Sequence, residues 1–152
     1  MSDETLEYEI SLKKLEKFKF IVDFGKETIP DLLTDESKEV PGGEEKGPTA
    51  SMLLAAAVGN CLSASLTFCL MKKKVPMYDL KTKVKFKRAR NEKGFWRIKE
   101  ITVELMPEVD DPENKNFKRC VEIFFNYCIV SGSVKNGIPI NINVLPKKRE
   151  II

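Results

Sequence analysis

Residues 50–71 read ASMLLAAAVGNCLSASLTFCLM, 22 consecutive uncharged positions that stop against Lys72, Lys73 and Lys74. Ala and Leu dominate the run, and Thr49 or Ser51 stands ready to cap its start, so the stretch predicts a helix. It is apolar nearly all round, which predicts burial on every side. About 20 apolar residues also suffice to cross a bilayer. Against a membrane span stand Asn60, Ser63, Ser65 and Thr67 in mid-segment, and alternating strand patterns on both sides of it. A central core helix is the better reading, and no membrane partner is expected. A chain of 152 residues has little other material to wrap such a helix, so a second chain is expected to contribute cover.

On the N-terminal side, Tyr8, Ile10 and Leu12 alternate with polar residues, as do Phe18, Phe20, Val22 and Phe24. Period-two alternation predicts two strands over 7–24, each with one dry face. A loop of roughly 20 residues follows, carrying Pro30, Asp35-Glu36, Pro41, Gly42-Gly43 and Gly47-Pro48; a loop so far beyond the usual length of about 4–6 residues is expected to be functional or disordered. On the C-terminal side, strands are predicted at Leu80–Arg90 and Arg97–Met106, joined by the turn Asn91-Glu92-Lys93-Gly94. Ile101, Val103 and Leu105 are expected to face inward. A second helix is expected after an acidic cap and proline at Asp110-Asp111-Pro112. Its apolar stripe is Phe117, Cys120, Val121, Phe124, Phe125 and Cys128, with Cys128 near the helix end. Ile138, Ile140, Ile142 and Val144 alternate in a predicted closing strand, and Lys147–Ile152 are expected to be loose.

Composition bounds the chemistry. Hydrophobic residues make up 42% and charged residues 32%, values of an ordinary globular protein. There is no histidine, which removes the Ser-His-Asp and Cys-His arrangements and most zinc sites together. No cofactor and no metal are expected. Net charge is +3, too slight to demand an anionic partner. Lys81, Lys83, Lys85 and Lys87 share one strand face, but without the interleaved aromatics of a base-stacking platform this reads as a solvated face, and no nucleic acid is expected. The first ten residues, MSDETLEYEI, lack a basic and then apolar run, so no secretory signal is expected and the cytoplasm is the expected compartment.

The four cysteines, Cys61, Cys69, Cys120 and Cys128, form no C-x-x-C pair. Cys69 and Cys120 read as small buried hydrophobes. In a reducing compartment any disulfide is more often transient than structural. Cys61 lies on the polar patch of the uncharged helix, with Asn60 beside it and Ser65 one turn on, and Cys128 precedes Ile-Val-Ser. They are a candidate redox pair, though 67 residues separate them and spacing does not establish proximity.

The series Thr34-Asp35-Glu36, Gly42-Gly43, Gly47-Pro48 and Leu53-Leu54-Ala55-Ala56-Ala57-Val58-Gly59-Asn60-Cys61, followed much later by Cys128-Ile129-Val130-Ser131, resembles the signatures of the OsmC/Ohr family of osmotically induced and organic hydroperoxide resistance proteins. The resemblance covers about residues 7–145 and implies a single domain over 1–152. It implies an α+β fold in which antiparallel sheets wrap two buried cysteine-bearing helices in an intertwined homodimer. It also implies thiol-dependent reduction of organic hydroperoxides, as part of an oxidative stress response, with Cys61 the peroxidatic cysteine and Cys128 the resolving one. Glu36, Ser51, Asn60 and Ser131 are the supporting candidates. Hydrogen peroxide is an alternative substrate, and the reductant is expected to be an unidentified dithiol.

The chemistry has its own requirement. A thiolate attacks the O–O bond and becomes a sulfenic acid, which a second thiol condenses to a disulfide. The first thiol must therefore ionise against a burial that opposes it. Cys61 is mid-helix, too far from that helix's N-terminus to be helped by it. It needs a cation, which in catalytic relatives is an arginine of the N-terminal sheet steadied by a glutamate near the start of the first helix. Here no arginine precedes Arg88, and Ser51 stands ten residues before Cys61, where that glutamate is common. Lys13, Lys14, Lys17, Lys19 and Lys26 are the nearby cations in sequence, with Arg88, Arg90, Arg97 and Arg119 further on; Asp35 and Glu36 are placed to orient one. The competing reading is a catalytically weakened module that keeps the fold and binds a small apolar ligand at the dimer interface. A peroxidase is expected to lose two of four titratable thiols to a hydroperoxide.

Overall fold

The computed structural model of the chain describes residues 4–150; Met1–Asp3 of the acidic start and Ile151–Ile152 of the expected loose tail lie outside them. Among the described residues the chain divides into two compact units. One runs up to Gly59 and includes Thr82–Glu104; the other comprises Asn60–Lys81 and the chain from Leu105 onward.

In the first unit the N-terminal alternation yields less sheet than it predicts. β1 (Ser11–Lys14) and β2 (Phe20–Asp23) pair antiparallel from Ser11 opposite Asp23 to Lys14 opposite Phe20. The turn between them is closed by Leu15 N–H donating to Lys19 O at 2.9 Å, with Lys17 at φ +52°. Val22 is buried, but Tyr8, Ile10 and Leu12 are exposed: among the described residues, no element covers the face they were expected to bury. The segment read as all loop contains a third strand, β3 (Leu32–Thr34), which joins the sheet edge of β2.

The rest of that loop is organised by Asp35, only 2% exposed. Its carboxylate accepts from the amides of Glu36 (2.8 Å), Lys46 (3.1 Å) and Glu44 (3.2 Å), replacing the ladder that a loop lacks. Burial works to raise its pKa, and these three donors outweigh that and hold the carboxyl below its ordinary value. Beside it Glu44 hydrogen-bonds Lys17 at 2.7 Å and meets the buried Lys19 ammonium at 3.0 Å, an ion pair outside good hydrogen-bond alignment. Lys17 first, and then Lys19, hold Glu44 down to about 2.

The uncharged run is a helix, α1 (Ala50–Lys72). Thr49 supplies the cap, accepting from Met52 N–H at 3.3 Å, and Ser51 lies inside the first turn. Gly59 belongs to the close approach of α1 to the strand that carries Val84, where a Cβ would overlap the Val84 methyl. Burial on every side is not met: Met52, Ala56, Asn60, Ala64, Phe68 and Met71 are exposed, spaced so as to form one stripe. One chain supplies cover for the opposite stripe only. The C-terminus closes as a Schellman motif, with Val75 N–H on Leu70 O (2.9 Å), Lys74 N–H on Met71 O (3.1 Å) and Lys74 itself at φ +55°.

β4 (Met77–Arg90) and β5 (Trp96–Val109) form a long hairpin, each strand reaching several residues past its predicted start or end. Asn91 Oδ1 accepts from the amides of Lys93 (3.0 Å) and Phe95 (2.9 Å), and Gly94 at φ +84° completes the turn. Ile101, Val103 and Leu105 are half-buried, as the alternation predicts. The lysine face of β4 is exposed, with Lys87 paired to Glu100 of β5 at 3.1 Å.

The predicted second helix is broken. α2 spans Lys115–Ile123 and is capped by Asn114, whose side chain accepts from Asn116 and Phe117 N–H, in place of the expected acidic residues. A 3-10 turn (Phe124–Tyr127) follows, a common tightening at helix ends, and Cys128 is extended at φ −81°, ψ 102°. Cys128 therefore ends no helix; it is the N-cap of a third, α3 (Ile129–Asn136), in a stretch the pattern left as loop. From Gly137 to Glu150 there is no strand, and Ile138, Ile140, Ile142 and Val144 are exposed. The alternation there is real, but no strand among the described residues is placed to pair with it.

Candidate redox site

The second unit has a core of Leu66, Cys69, Leu70 and Cys120, against which Met77, Leu80, Leu105, Phe117 and Phe124 pack. The packing is what brings Cys120 of α2 onto Cys69 of α1. The two are disulfide-bonded, with Cα atoms 5.7 Å apart. This corrects the reading of both as mere small hydrophobes: they are buried, at 5% and 0%, and also covalently joined. The titratable thiols are accordingly two, Cys61 and Cys128, and not four.

Those two meet. The Cys61 and Cys128 side chains are in hydrogen-bond contact, Cys61 partly exposed on α1 and Cys128 buried at 3%. Ser131 N–H donates to Cys128 Sγ at 3.3 Å, the N-cap bond of α3, and the Ser131 hydroxyl adds a second bond. The amides of Val130 and Ile129, the first residues of the same helix, act on Cys61. Both sulfurs thus sit at the N-terminus of α3, where unsatisfied N–H groups and the helix dipole favour negative charge.

The electrostatics of the pair are unequal. Burial and its bond to Cys128 push the Cys61 thiol up. Burial also works to push Cys128 up, but the Ser131 hydroxyl, the Cys61 contact and the backbone amides outweigh it and hold this thiol below its ordinary value. The pair titrates as one unit, with Cys61 shifted up and Cys128 shifted down. The groups that lower Cys128 are the Ser131 hydroxyl, Cys61 and backbone amides, and the amides that act on Cys61 do not overcome its burial. Lys19, the most buried of the lysines considered for that role, is engaged by Glu44.

Of the supporting candidates, Ser131 touches the pair and Asn60 is exposed beside Cys61 on α1. Glu36 and Ser51 belong to the other unit, where Glu36 contributes its amide to Asp35 and Ser51 lies in the first turn of α1. Sequence reasoning missed the α3 amides, because a backbone donor has no side-chain signature. It also missed the Cys69–Cys120 bridge, although a signal was present: Cys69 lies eight residues after Cys61, and Cys120 eight before Cys128.

An α+β chain with antiparallel sheets, a long central helix and a contacting pair of free cysteines has the architecture that the OsmC/Ohr resemblance implies. The profile of the OsmC-like proteins matches residues 43–143, two thirds of the chain, and the protein is a member of that family. Among solved structures it is similar to an OsmC-like protein from Mycoplasma pneumoniae (16% identity, TM-score 0.71, covering 88% of this chain and 89% of that one). It is also similar to a hypothetical protein from Aquifex aeolicus (23% identity, TM-score 0.67, covering 87% and 89%). An organic hydroperoxide resistance protein from Elizabethkingia anophelis shares the fold as well (15% identity, TM-score 0.63, covering 86% and 89%). No curated protein matches the chain. Proteins of this fold thus include organic hydroperoxide resistance proteins.

Proposed function

We propose that the protein is a two-cysteine peroxidase for organic hydroperoxides, working as a homodimer in the cytoplasm. The observation that carries this reading is the contact between Cys61 and Cys128 at the amide-rich start of α3. Cys61 is the more exposed sulfur and meets the peroxide; Cys128 holds the negative charge and takes the Cys61 proton as attack begins. The Cys61 sulfur then bonds to the distal peroxide oxygen, the O–O bond breaks, and the leaving alkoxide recovers that proton as an alcohol. The Cys128 thiolate attacks the Cys61 sulfenic sulfur and expels hydroxide, which a solvent proton converts to water. One dithiol is oxidised by two electrons, one peroxide is reduced, and an external dithiol resets the pair by exchange.

The exposed stripe on α1 and the exposed isoleucines after Gly137 support the homodimer, since both are apolar surface of the kind a second copy buries. The dry Cys69–Cys120 bridge is compatible with a reducing compartment, because a solvent reductant reaches it only through local opening. Thiol titration in denaturant tests the reading. Two thiols are expected in the untreated protein and none after one equivalent of cumene hydroperoxide, while Cys61→Ser leaves its remaining thiol unaffected. A titre that stays at two through a wide excess of peroxide overturns it in favour of an apolar-ligand module.

A further inference from the structure

Between Lys115 and Asn136 only two residues are fully buried, Cys120 and Cys128, and the 3-10 turn that links α2 to Cys128 buries none. Phe125 and Tyr127 of that turn are exposed; Phe124 alone packs against the core around the bridge. Phe117 and Ile123 of α2 pack there too, but beyond Phe124 no side chain of the turn adds to this packing, and noncovalent anchoring is thin along the stretch that delivers Cys128. On the facing element Cys61 and Cys69 lie eight residues apart, about 12 Å along the helix axis. The same eight residues separate Cys120 from Cys128, so the two cysteine pairs span α1 and the α2–α3 segment at matched intervals.

We propose that the Cys69–Cys120 disulfide is a positioning element of the redox site, which anchors the α2–α3 segment to α1 so that Cys128 stays against Cys61. The inference builds on the peroxidase reading, but its test has a readout that needs no peroxide. The bridge does not turn over: at 0–5% exposure among Leu66, Leu70 and Phe124 neither sulfur meets a peroxide or a reductant, and exchange with Cys61 is prevented by the two helical turns between Cys61 and Cys69. Its consequence falls on both steps that use Cys128: ring closure, in which Cys128 must reach the Cys61 sulfur, and the first attack, in which Cys128 takes the Cys61 proton.

The variants are Cys69→Ala/Cys120→Ala and the better-filled Cys69→Val/Cys120→Ala, both keeping Cys61 and Cys128. The first measurement equilibrates each protein with glutathione disulfide, which oxidises the Cys61–Cys128 dithiol and yields two glutathione thiols. The equilibrium constant for closure is expected to fall about tenfold, equivalent to about 30 mV. The second applies one equivalent of cumene hydroperoxide with dimedone present. The dimedone-trapped Cys61 sulfenic acid is expected to rise several-fold as a fraction of the peroxide consumed, with peroxide consumption itself slower than in the parent. A folded variant whose glutathione equilibrium and trapped fraction match the parent overturns the proposal. Failure of both variants to fold overturns it too, making the bridge a device of stability alone. A parent that ignores peroxide removes the peroxidase reading and leaves the glutathione equilibrium to decide the positioning role.

Discussion

At the scale of single residues, Cys61 and Cys128 share one site and have opposite tendencies. Cys61 is shifted toward its neutral form by burial and by its bond to Cys128, while Cys128 receives hydrogen bonds and is shifted toward its thiolate. Ser131 is the side chain that tilts this balance, so Ser131→Ala is expected to raise the thiolate titration midpoint of the reduced protein. Because a hydrogen bond to a charged group is worth roughly 1.5–3 kcal/mol, the peroxide reaction at neutral pH is expected to slow about tenfold. The stability effect has a definite sign. A thiol whose folded pKa lies below its unfolded value of 9.0 adds stability that is fully present above 9.0 and is lost as pH falls through the folded value. The cost of Ser131→Ala, read from urea unfolding of the reduced protein, should therefore be largest at alkaline pH and shrink as the solution is acidified through the Cys128 titration. Cys61 works the other way: its raised value adds stability that is full below 9.0 and lost on the alkaline side. Both cysteines were nameable from the motifs around them. The donors that shift them were not, since Ile129 and Val130 act through backbone N–H groups, and Ser131 through its hydroxyl and its amide, whose directions exist only once α3 has formed.

At the scale of elements, α1 is the part most fully written in the sequence. A run of 22 uncharged residues ended by three lysines leaves little freedom about where the helix stops. Its ending is nonetheless strained, because a lysine occupies the left-handed position of the Schellman motif. Lys74→Gly relieves that cost and is expected to stabilise the protein by about 0.5–1 kcal/mol, measurable as a shift in the urea midpoint with an unchanged slope. The second helix was legible as far as its apolar stripe and illegible in its break. Phe117, Cys120, Phe124 and Cys128 keep a helical period across two changes of backbone conformation, because a 3-10 turn and an extended cap displace the phase little over so short a distance. The isoleucines after Gly137 show the converse: strand periodicity without a strand, since period-two alternation names the conformation a partner would stabilise and does not supply the partner.

At the scale of the whole molecule, two numbers decide what holds the second unit together. Its fully buried core side chains are few, and a disulfide closing a 51-residue separation contributes about 4 kcal/mol in the chain-entropy account, a large share of the 5–15 kcal/mol by which domains are stable. The exposed apolar surface is extensive by comparison, from Phe68 and Met71 on α1 to Ile140, which is 80% exposed. Under the proposed homodimer, light scattering is expected to give about twice the 17.3 kDa chain mass. Phe68→Asp with Ile140→Asp is expected to shift the population toward monomer; a parent that is monomeric at micromolar concentration sinks the proposed assembly. The sequence by itself determined the family, the α+β class, the central helix and the two cysteines proposed to react, because these rest on composition, period and local motif, which a linear chain carries in full. Only the tertiary structure decided which sulfurs touch, which pair is closed, and which of the free thiols is shifted toward its thiolate. Those follow from distances between segments far apart in the chain and from the aim of backbone dipoles, and neither exists until the helices are packed.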